Sequence, residues 1–502
     1  MNDIAMLGVD SAKWIESCEQ EKLHLSGAIQ PHGALFVVDS QGDITHVSAN
    51  ITDFYQTAEC VDAPAWLGGP LPTVLQAGLH RLGAAPGQRL SLIGACEGRT
   101  GALDVVYSRQ AGGGAVVELT YSGNTDTPSL LAHIPMEPPP DNAQQLHAAQ
   151  LALVEEVLAI TGFERVFYHH FTADGDGEVI CERTAPQVSG SYLGLRFPAT
   201  DVPAVARTLY LKNPWRLISD AKSANIRVIY NEEAHQLPDL TYSDLRSASP
   251  VHCIYMGNMG VRASLSFPIT VGGELRALVV AHHSEARTLP LHTLEQLSAR
   301  VRAHTLAYSC YSSRRSIRLM DGLSVRFSPF IDALHRHGEL ESAWMEYAPQ
   351  LLEEFGADGA VLCRADKVIP FGHSLEPDAL AVLDDWFVRQ GSEFVWMCDS
   401  LSRRLPEYPL SATAGVLAIR TSTLQGQSNL RLYLTRQEHI HEVAWGGNPN
   451  KPEEVSSLLG VAPRRSFEKW VEKRLGYSRP WLHEHRLLAL KLRELLQQAD
   501  RS

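Results

Sequence analysis

The chain has 502 residues, which corresponds to about three globular domains at roughly 150 residues each. Charged residues make up 20% of it and hydrophobic residues 44%, a composition that excludes fibrous and largely disordered proteins. Its formal net charge of -13 disfavours nucleic acid and anionic membrane surfaces as main partners, because both would repel it on average.

Neither the start of the chain nor its cysteines indicate export. Residues Met1 to Ile4 lack the basic start and apolar run of a signal peptide, and no segment approaches the roughly 18 apolar residues of a membrane span. The cysteines form no CxxC pair, which is typical of reduced thiols rather than a disulfide framework or a zinc site. We therefore expect a cytoplasmic protein with no metal site.

The first predicted domain is a small α+β domain over residues 1–125. The segment from Ala34 to Asp39 predicts a strand, Ser40 to Asp43 a turn, and Ile44 to Val47 the returning strand. The proline-dense segment from Pro135 to Asp141 follows and predicts a linker to the next domain.

The second predicted domain covers residues 135–315. An amphipathic pattern predicts a helix from about Gln144 to Ile160, and a strand is predicted from Arg165 to Phe171. A hairpin is predicted at Gly272-Gly273. Helical spacing from about His292 to Tyr311 then predicts a long helix that carries the chain onward.

The third predicted domain covers residues 320–502. After Pro480 an amphipathic helix carries Leu488, Leu492 and Leu495 on one face. Two interpretations of this stripe stay open: a packed terminal helix, or a dimerising coil that leads to an output domain.

Two short segments and a lone cysteine are candidates for a binding site: Phe197 to Pro203, Ser249 to His252, and Cys18. Each has an ordinary explanation when taken singly. Asp201 would cap the following helix, with Pro203 in its first turn. His252 would be a core histidine, and Cys18 would be a thiol without a functional role. Their presence in one chain favours a shared role.

The chain resembles the bacteriophytochromes, red-light receptors that carry biliverdin in a module of PAS, GAF and PHY domains. The matching segments extend along essentially the whole chain and are Cys18 to Glu21, Ile29 to Gly33, Phe197 to Pro203, Ser249 to His252, Asn258 to Ser264, His282-His283 and Pro463 to Phe467. The resemblance implies an α+β architecture of three domains, with antiparallel sheets, long connecting helices and a tongue.

By this resemblance the cofactor is biliverdin IXα, attached to Cys18 as a thioether. A thiolate is the competent nucleophile, and a cysteine in an N-terminal leader can reach a cofactor in the next domain. In plant and cyanobacterial relatives the attachment cysteine precedes the pocket histidine, whereas this chain has Val251 there. Cys253, on the other side of His252, departs from the pattern and is interpreted as a buried structural thiol.

A bilin has pyrrole N–H donors at its centre and two propionates at its rim, so its pocket needs a central acceptor and peripheral cations. The resemblance implies that the Asp201 backbone carbonyl and His252, with an ordered water, contact the pyrrole nitrogens. Arg216 and Arg246 would pair with the propionates, for which a guanidinium fork is suited. The further contacts implied are the hydroxyls of Tyr210, Ser264 and Ser266, His282 at the D-ring carbonyl, and Tyr255, Phe197 and Phe167.

The predicted hairpin conflicts with this set of contacts. A simple two-residue turn at Gly272-Gly273 would place Ala263 opposite His282 and turn Ser264 and Ser266 to the opposite side of the sheet. A bulge or a longer loop is needed to bring His282 and both serines to one ligand.

Residues 431–475 resemble the tongue that reaches from the PHY domain to the chromophore. Leu432 to Leu434 predicts a strand and Trp445 to Pro449 a turn, whereas Phe467, Trp470 and Val471 have helical spacing. Two interpretations stay open: an element with two stable conformations, or a plain loop with one short helix.

The resemblance assigns roles to four residues of this segment. Arg464 would pair with Asp201 in the red-absorbing state, and Ser466 would replace it after the tongue refolds. Trp470 and Glu472 match the family's WxE element.

His169 stands where the family has a tyrosine beside the D ring. Tyr168 cannot substitute, because neighbouring residues of a strand point to opposite faces. We hypothesise that the pocket isomerises less efficiently or is more fluorescent, and that pH tunes it through the imidazole. A compensated substitution with normal photocycling is the alternative.

The function implied is a red/far-red photoreceptor that switches by D-ring isomerisation and relays the change through the tongue and long helices. A homodimer and a downstream output domain or response regulator are the implied partners. A non-photochemical tetrapyrrole sensor is the alternative that keeps the pocket. An enzyme is disfavoured, because the sequence has no Gly-rich phosphate loop, no nucleophile-base-orienter set and no kinase half.

Overall fold

The computed structural model describes residues 21–123, 138–172, 174–230, 236–390, 393–409, 411–421, 430–448 and 468–499. The chain divides into two compact units, a first unit of residues 1–311 and 444–470 and a second unit of residues 312–443 and 471–502. Cys18, Arg464 and Ser466 lie outside the described residues.

The α-helices of the described chain are α1 (Ile51–Phe54), α2 (Thr73–Arg81), α3 (Ala143–Thr161), α4 (Ala204–Tyr210), α5 (Pro250–Asn258), α6 (Leu291–His337), α7 (Leu340–Phe355), α8 (Pro377–Arg389), α9 (Leu401–Arg404) and α10 (His483–Ala499). The strands before α6 are β1 (Ala28–Ile29), β2 (Ala34–Val38), β3 (Ile44–Ser48), β4 (Arg89–Glu97), β5 (Ala102–Arg109), β6 (Ala115–Tyr121), β7 (Arg165–Phe171), β8 (Gly177–Thr184), β9 (Arg196–Phe197), β10 (Arg216–Ile218), β11 (Ile226–Tyr230), β12 (Ala263–Val271) and β13 (Glu274–His283). The later strands are β14 (Gly359–Arg364), β15 (Lys367–Gly372), β16 (Val395–Cys398), β17 (Thr413–Arg420), β18 (Leu430–Gln437), β19 (His441–Gly446) and β20 (Lys469–Arg474).

The first sheet belongs to the first unit and has strand order β1-β11-β3-β2-β6-β5-β4. The strand pair predicted at Ala34 and Ile44 is confirmed as the antiparallel pair β2–β3. Strand β11 comes from the middle of the range predicted for the second domain, yet it pairs with β3 on one side and β1 on the other. The N-terminal segment is thus hydrogen-bonded to residues about 200 positions away, and the domain boundaries at 125 and 135 stay predictions.

The second sheet has strand order β10-β12-β13-β7-β8-β9, and Trp445 pairs in parallel with Arg196 of β9. One face packs against α3 and α6 through a core that includes Leu153, Val157 and Leu297. The helix predicted from Gln144 is confirmed as α3, which begins because the Asn142 side chain accepts a hydrogen bond from the Gln145 backbone. Alternation along β7, β10, β12 and β13 turns every second side chain to the other face, where the candidate site lies.

The hairpin β12–β13 contains the bulge that the sequence argument requires. Val271 pairs with Glu274 and Thr270 with Leu275, but Ile269 pairs with Ala277, so Arg276 is an extra residue on β13. Beyond the bulge, Ser264 lies opposite His282 and Ser266 opposite Val280. The predicted need for a bulge is confirmed, and His282 shares a sheet face with both serines.

The third sheet belongs to the second unit and has strand order β15-β14-β18-β17-β16. Helices α7 and α10 cover one face, with Trp344 and Leu492 in a core shared with Leu417. Helix α8 covers the other face, where Leu383 and Phe387 pack. The stripe of α10 is therefore buried in this unit's own core, which supports the packed terminal helix.

One predicted helix is longer in the structure, and one segment predicted at helical spacing is a strand. The helix expected from about His292 to Tyr311 runs instead from Leu291 to His337. Trp470 and Val471, predicted at helical spacing, lie in strand β20, so that prediction is wrong for these residues. Exposure alternates residue by residue along β20, which shows the period of a strand. The strand predicted at Leu432 is confirmed within β18.

No helix within the described ranges carries an apolar stretch long enough to cross a bilayer.

Candidate functional site

A cleft in the first unit lies among α4, α5 and β10 and has about 1200 Å³ of empty space, part of it open to solvent. Its lining includes six residues named by the sequence analysis: Asp201, Tyr210, Arg216, Arg246, His252 and Tyr255. Apolar side chains such as Val205, Leu209 and Ile218 form the walls between them. Apolar walls with a few convergent polar groups, at this size, are typical of a cofactor site.

Asp201 ends a short 3-10 turn, Ala199–Asp201, that precedes α4. The N-cap of α4 is Pro203, without any side-chain capping bond, so the interpretation of Asp201 as a helix cap is wrong. Its carboxylate instead accepts a hydrogen bond of 2.7 Å from the Tyr255 hydroxyl. The Tyr255 ring stacks on His252 at a centroid distance of 5.9 Å. Removal from water, and then the charge of Arg216, lower the pKa of His252 to about 4, so its imidazole is neutral at pH 7.

Arg216 and Arg246 carry positive charge at the cleft, and no carboxylate among the described residues forms a salt bridge with either of them. Arg216 donates to the backbone carbonyls of Asp244 at 3.2 Å and Arg246 at 2.5 Å. The Nη1 atom of Arg246 donates to the carbonyls of Leu240 and Thr241. Burial lowers the pKa of both guanidinium groups, that of Arg246 to about 9 with a further contribution from the charge of Arg216. Two neighbouring cations with neutral acceptors only, within the described residues, fit a dianionic ligand.

The hydroxyl groups lie beside these cations. Tyr210 and Ser266 share a hydrogen bond of 2.7 Å, and Ser266 pairs across the sheet with Arg216. Ser264 is buried two residues before it on the same face. The structure therefore brings the Tyr210 and Ser266 hydroxyls to the cationic end of the cleft, whereas Ser264 lies across the sheet from Ile218 and His282.

The other predicted residues form an aromatic cluster on the same sheet face, which we call the ring cluster and define as Phe167, His169, Phe197 and His282. Phe167 lies 5.1 Å from the His282 ring and 6.3 Å from the His169 ring, and His169 lies 5.9 Å from Phe197. Burial lowers the pKa of His282 to about 3, with smaller contributions from Arg165 and His252. Its buried Nδ1 atom has no hydrogen-bond partner among the described residues.

His169 is buried against Gly177, and a Cβ atom at position 177 would lie 1.7 Å from its Nε2 atom. Burial, and then the charge of Arg207, lower the pKa of His169 to about 3. The imidazole is therefore neutral near pH 7. The lowered pKa disfavours pH tuning through His169, and this expectation stays a prediction.

The cysteines within the described residues are free thiols. In the ranges that the structure describes, no three His, Cys, Asp or Glu side chains are grouped as a metal site would need. Cys253 is a half-buried free thiol on α5, and burial raises its pKa, so the thiol form dominates at neutral pH. Trp470 and Glu472 lie on the same face of β20 and are not part of the cleft wall.

The sequence analysis did not predict two charged residues near the site, Glu118 and Arg207. Glu118 is buried and accepts hydrogen bonds from Ser243 and from the backbone of Leu245, next to Arg246. A single acidic residue in the apolar strand β6 is a signal for a buried carboxyl group that needs partners. Arg207 binds the backbone on both sides of Asp201, and nothing in the local pattern of α4 indicates this.

Three family models match successive parts of the chain. They describe a PAS fold over residues 18–120, a GAF domain over residues 145–307 and the phytochrome region over residues 327–501. None of the three describes a catalytic domain.

Curated relatives match along nearly the whole chain. A bacteriophytochrome of Pseudomonas aeruginosa is 31% identical over 505 residues, which cover 95% of this chain and 66% of the relative. Cyanobacterial phytochrome B of Nostoc is 29% identical over 97% of this chain and 67% of the relative. The chain thus spans about two thirds of the length of these relatives.

Two solved structures share the fold. A bacteriophytochrome from the photosynthetic bacterium R. palustris has a TM-score of 0.77 at 28% identity, covering 96% of this chain and 99% of that chain. The photosensory core module of the Stigmatella aurantiaca phytochrome has a TM-score of 0.80 at 27% identity, covering 96% and 97%. The predicted α+β architecture with PAS, GAF and PHY domains is confirmed.

Proposed function

We infer that this chain, which belongs to the phytochrome family as a bacteriophytochrome-type photosensory module, binds biliverdin IXα in the cleft and acts as a red/far-red light switch. The observation that carries the proposal is the pair Arg216 and Arg246, two cations at a cofactor-sized cleft whose guanidinium groups donate only to neutral carbonyls among the residues that the structure describes. A bilin brings two propionates, which match two cations in charge.

The chain's own residues would hold the two ends of the pigment differently. Arg216 and Arg246 would bind the propionates, with Tyr210, Ser264 and Ser266 adding hydroxyl contacts. The Asp201 backbone carbonyl would accept from the pyrrole nitrogens beside a neutral His252. When bound, biliverdin supplies the absorption of red light and the D-ring double bond whose isomerisation makes the switch.

The ring cluster would surround the D ring. His282 supports this role because its buried Nδ1 atom lacks a partner among the described residues, and an unpaired buried polar atom is costly. Phe167, His169 and Phe197 would limit the motion of the ring through their packing. Tyr255, expected beside the D ring, would act through Asp201, to which it donates.

The proposed relay starts where residues after Val443 contact the ring cluster. Trp445 pairs with Arg196, and a Cβ atom at Gly446 would lie 2.6 Å from the Phe197 ring. We propose that Arg464 binds Asp201 in the red-absorbing state, that Ser466 replaces it afterwards, and that Trp470 and Glu472 shift with the tongue.

The partners we propose are a second copy of the chain and an output domain or response regulator. The module itself would sense light without turning over a substrate. The full-length relatives extend beyond the matched region, since the chain spans only 66% of the Pseudomonas aeruginosa protein, so the output would lie outside residues 1–502.

The attachment is tested by expressing the chain with biliverdin and denaturing it. We expect zinc-induced fluorescence to stay with the polypeptide and to be lost in Cys18→Ser, because the Cys18 thiol adds across a vinyl group, with sulfur on one carbon and the proton on the other. Cys253→Ser is the matched control and should keep the fluorescence. Retention in Cys18→Ser would move the attachment elsewhere.

Photoactivity is tested on the same sample by absorbance before and after red light. A reversible difference spectrum is expected of a switch. A coloured protein with no difference spectrum would favour the non-photochemical tetrapyrrole sensor, and a colourless protein would contradict both functions.

A further inference from the structure

The guanidinium group of Arg207 binds backbone on both sides of Asp201. Its Nε atom donates to the Val202 carbonyl at 2.7 Å, and its Nη2 atom donates to the Ala199 carbonyl at 3.2 Å. Ala199 begins the 3-10 turn that Asp201 ends, and Val202 follows it. One rigid, planar group therefore holds the peptide groups after Ala199 and after Val202, which lie on the two sides of Asp201.

The same side chain binds the turn after β7. Nη2 donates to the Gly175 carbonyl at 2.6 Å, and the guanidinium carbon lies 4.3 Å from the Phe171 ring centre. Asp176 adds a second connection, because its carboxylate accepts from the Ala199 backbone at 3.1 Å. The turn that follows the His169 strand and the segment that carries Asp201 thus form one hydrogen-bonded assembly.

These contacts have a direct geometric consequence for the Asp201 carbonyl. The peptide plane between Asp201 and Val202 lies between the Ala199 and Val202 carbonyls, and both of these accept from Arg207, so the guanidinium group restrains the backbone on each side of that plane. A guanidinium group donates in fixed directions from a planar fork, whereas an ammonium group is a single flexible point. The orientation of the acceptor in the cleft therefore depends on this fork.

We propose that Arg207 is a positioning residue that sets the direction of the Asp201 carbonyl and so the proton affinity of the bound pigment. The inference rests on the proposed function, since it needs pyrrole nitrogens that face this carbonyl. A carbonyl aimed at N–H donors favours the protonated pigment, and a misdirected carbonyl favours it less. Arg207 itself would touch the backbone and not the pigment.

The test compares the pH titration of the red absorption band in assembled wild type, Arg207→Met and Arg207→Lys. Loss of the fork should lower the titration midpoint by about one pH unit in Arg207→Met, a tenfold change in proton affinity, with a smaller shift in Arg207→Lys. Arg287→Met is the control, because Arg287 also donates to a backbone carbonyl, that of Thr161, and lies 5.8 Å from an aromatic ring centre, away from the cleft.

The outcomes separate the inference from the proposed function. A midpoint shift in both Arg207 variants and none in Arg287→Met supports positioning, because a general loss of stability would not move the pigment's titration. A coloured wild type with an unchanged midpoint in Arg207→Met, or in Arg207→Lys should the first variant fail to fold, overturns the inference alone. A colourless wild type overturns the proposed function and the inference together.

Discussion

The two ends of the candidate site are built on one sheet face by different physical means. At the cationic end, Arg216 and Arg246 lie beside an open cleft, and among the described residues their guanidinium groups donate to carbonyl oxygens and form no salt bridge. At the other end, the ring cluster is filled by its own side chains, with Phe167, His169 and Phe197 almost fully buried.

We infer from this difference that the cationic end supplies the binding affinity for the pigment and that the ring cluster controls the motion of the bound ring. A buried charge without a counterion is unfavourable until a ligand neutralises it, so the cationic end gains the most on binding. The ring cluster already packs against itself and gains less. Its tight packing instead limits what a bound ring can do, because a close-packed interior transmits small changes in volume.

The largest effect is a loss of biliverdin affinity, which we expect when either of the two cations is removed. Arg216→Met and Arg246→Met should each weaken biliverdin binding at least tenfold, since a hydrogen bond to a charged group is worth about 1.5–3 kcal/mol. Titration of the apoprotein with biliverdin, followed by absorbance, measures this. The apoprotein's stability should change little, because each substitution also removes an uncompensated charge.

Arg262→Met is the matched control for the cations, because Arg262 pairs with Asp220 and lies outside the cleft wall. Unchanged binding in both cleft variants would mean that the two ends do not differ as proposed. An equal loss in all three variants would point to a general effect on folding.

The second effect concerns packing at the ring cluster. Gly177→Ala should lower the free energy of unfolding by about 1–3 kcal/mol, because its Cβ atom would overlap the His169 ring. Chemical denaturation of the apoprotein measures it. The loss should shrink in a His169→Ala background, and an undiminished loss there would assign the strain to another neighbour.

Gly101→Ala provides the control for this substitution, since nothing lies within 4 Å of its Cβ position. It should change stability by less than about 0.5 kcal/mol.

The third effect is a pH dependence of the free energy of unfolding, which arises from Glu118. Burial, and then the charge of Asp244, raise the pKa of Glu118 from 4.5 to about 7. The folded state therefore binds the proton more tightly than the unfolded state. The stability that this contributes is present below pH 4.5 and is lost as the pH rises through 7.

Glu118→Gln should remove this loss, which is on the order of 3 kcal/mol. Unfolding curves of both proteins at pH 4.5, 6 and 8 give the difference, and the buried histidines cancel in it because both proteins contain them. Parallel pH profiles would contradict the raised pKa.

The smallest effect is spectroscopic and tests His169. His169→Tyr restores the residue type expected beside the D ring, so fluorescence should fall and the yield of red-light conversion should rise. Fluorescence yield and difference spectra of both proteins measure this. Indistinguishable values would favour the compensated substitution and would leave the ring cluster without a special role for the imidazole.

The sequence by itself was sufficient for local elements, and its resemblance to the bacteriophytochromes implied the identity of the cleft residues. The predicted bounds match β7 residue for residue and α3 to within one residue. The alternation of side chains along a strand, with the turn at Gly272-Gly273 and the contacts that the resemblance implies, predicted the bulge in β12–β13. These predictions are confirmed because the periods of strands and helices depend on residues that are close together in the sequence.

Only the tertiary structure decided features that depend on distant partners. The pairing of β11 with β1 and β3 joins segments that no local pattern relates. Trp470 and Val471 have a spacing that fits a helix, yet they lie in a strand, because a few apolar residues do not separate the two periods. The hydrogen bonds of Glu118 and Arg207 and the lowered pKa of His169 depend on burial and long-range approach, which a local sequence pattern does not contain.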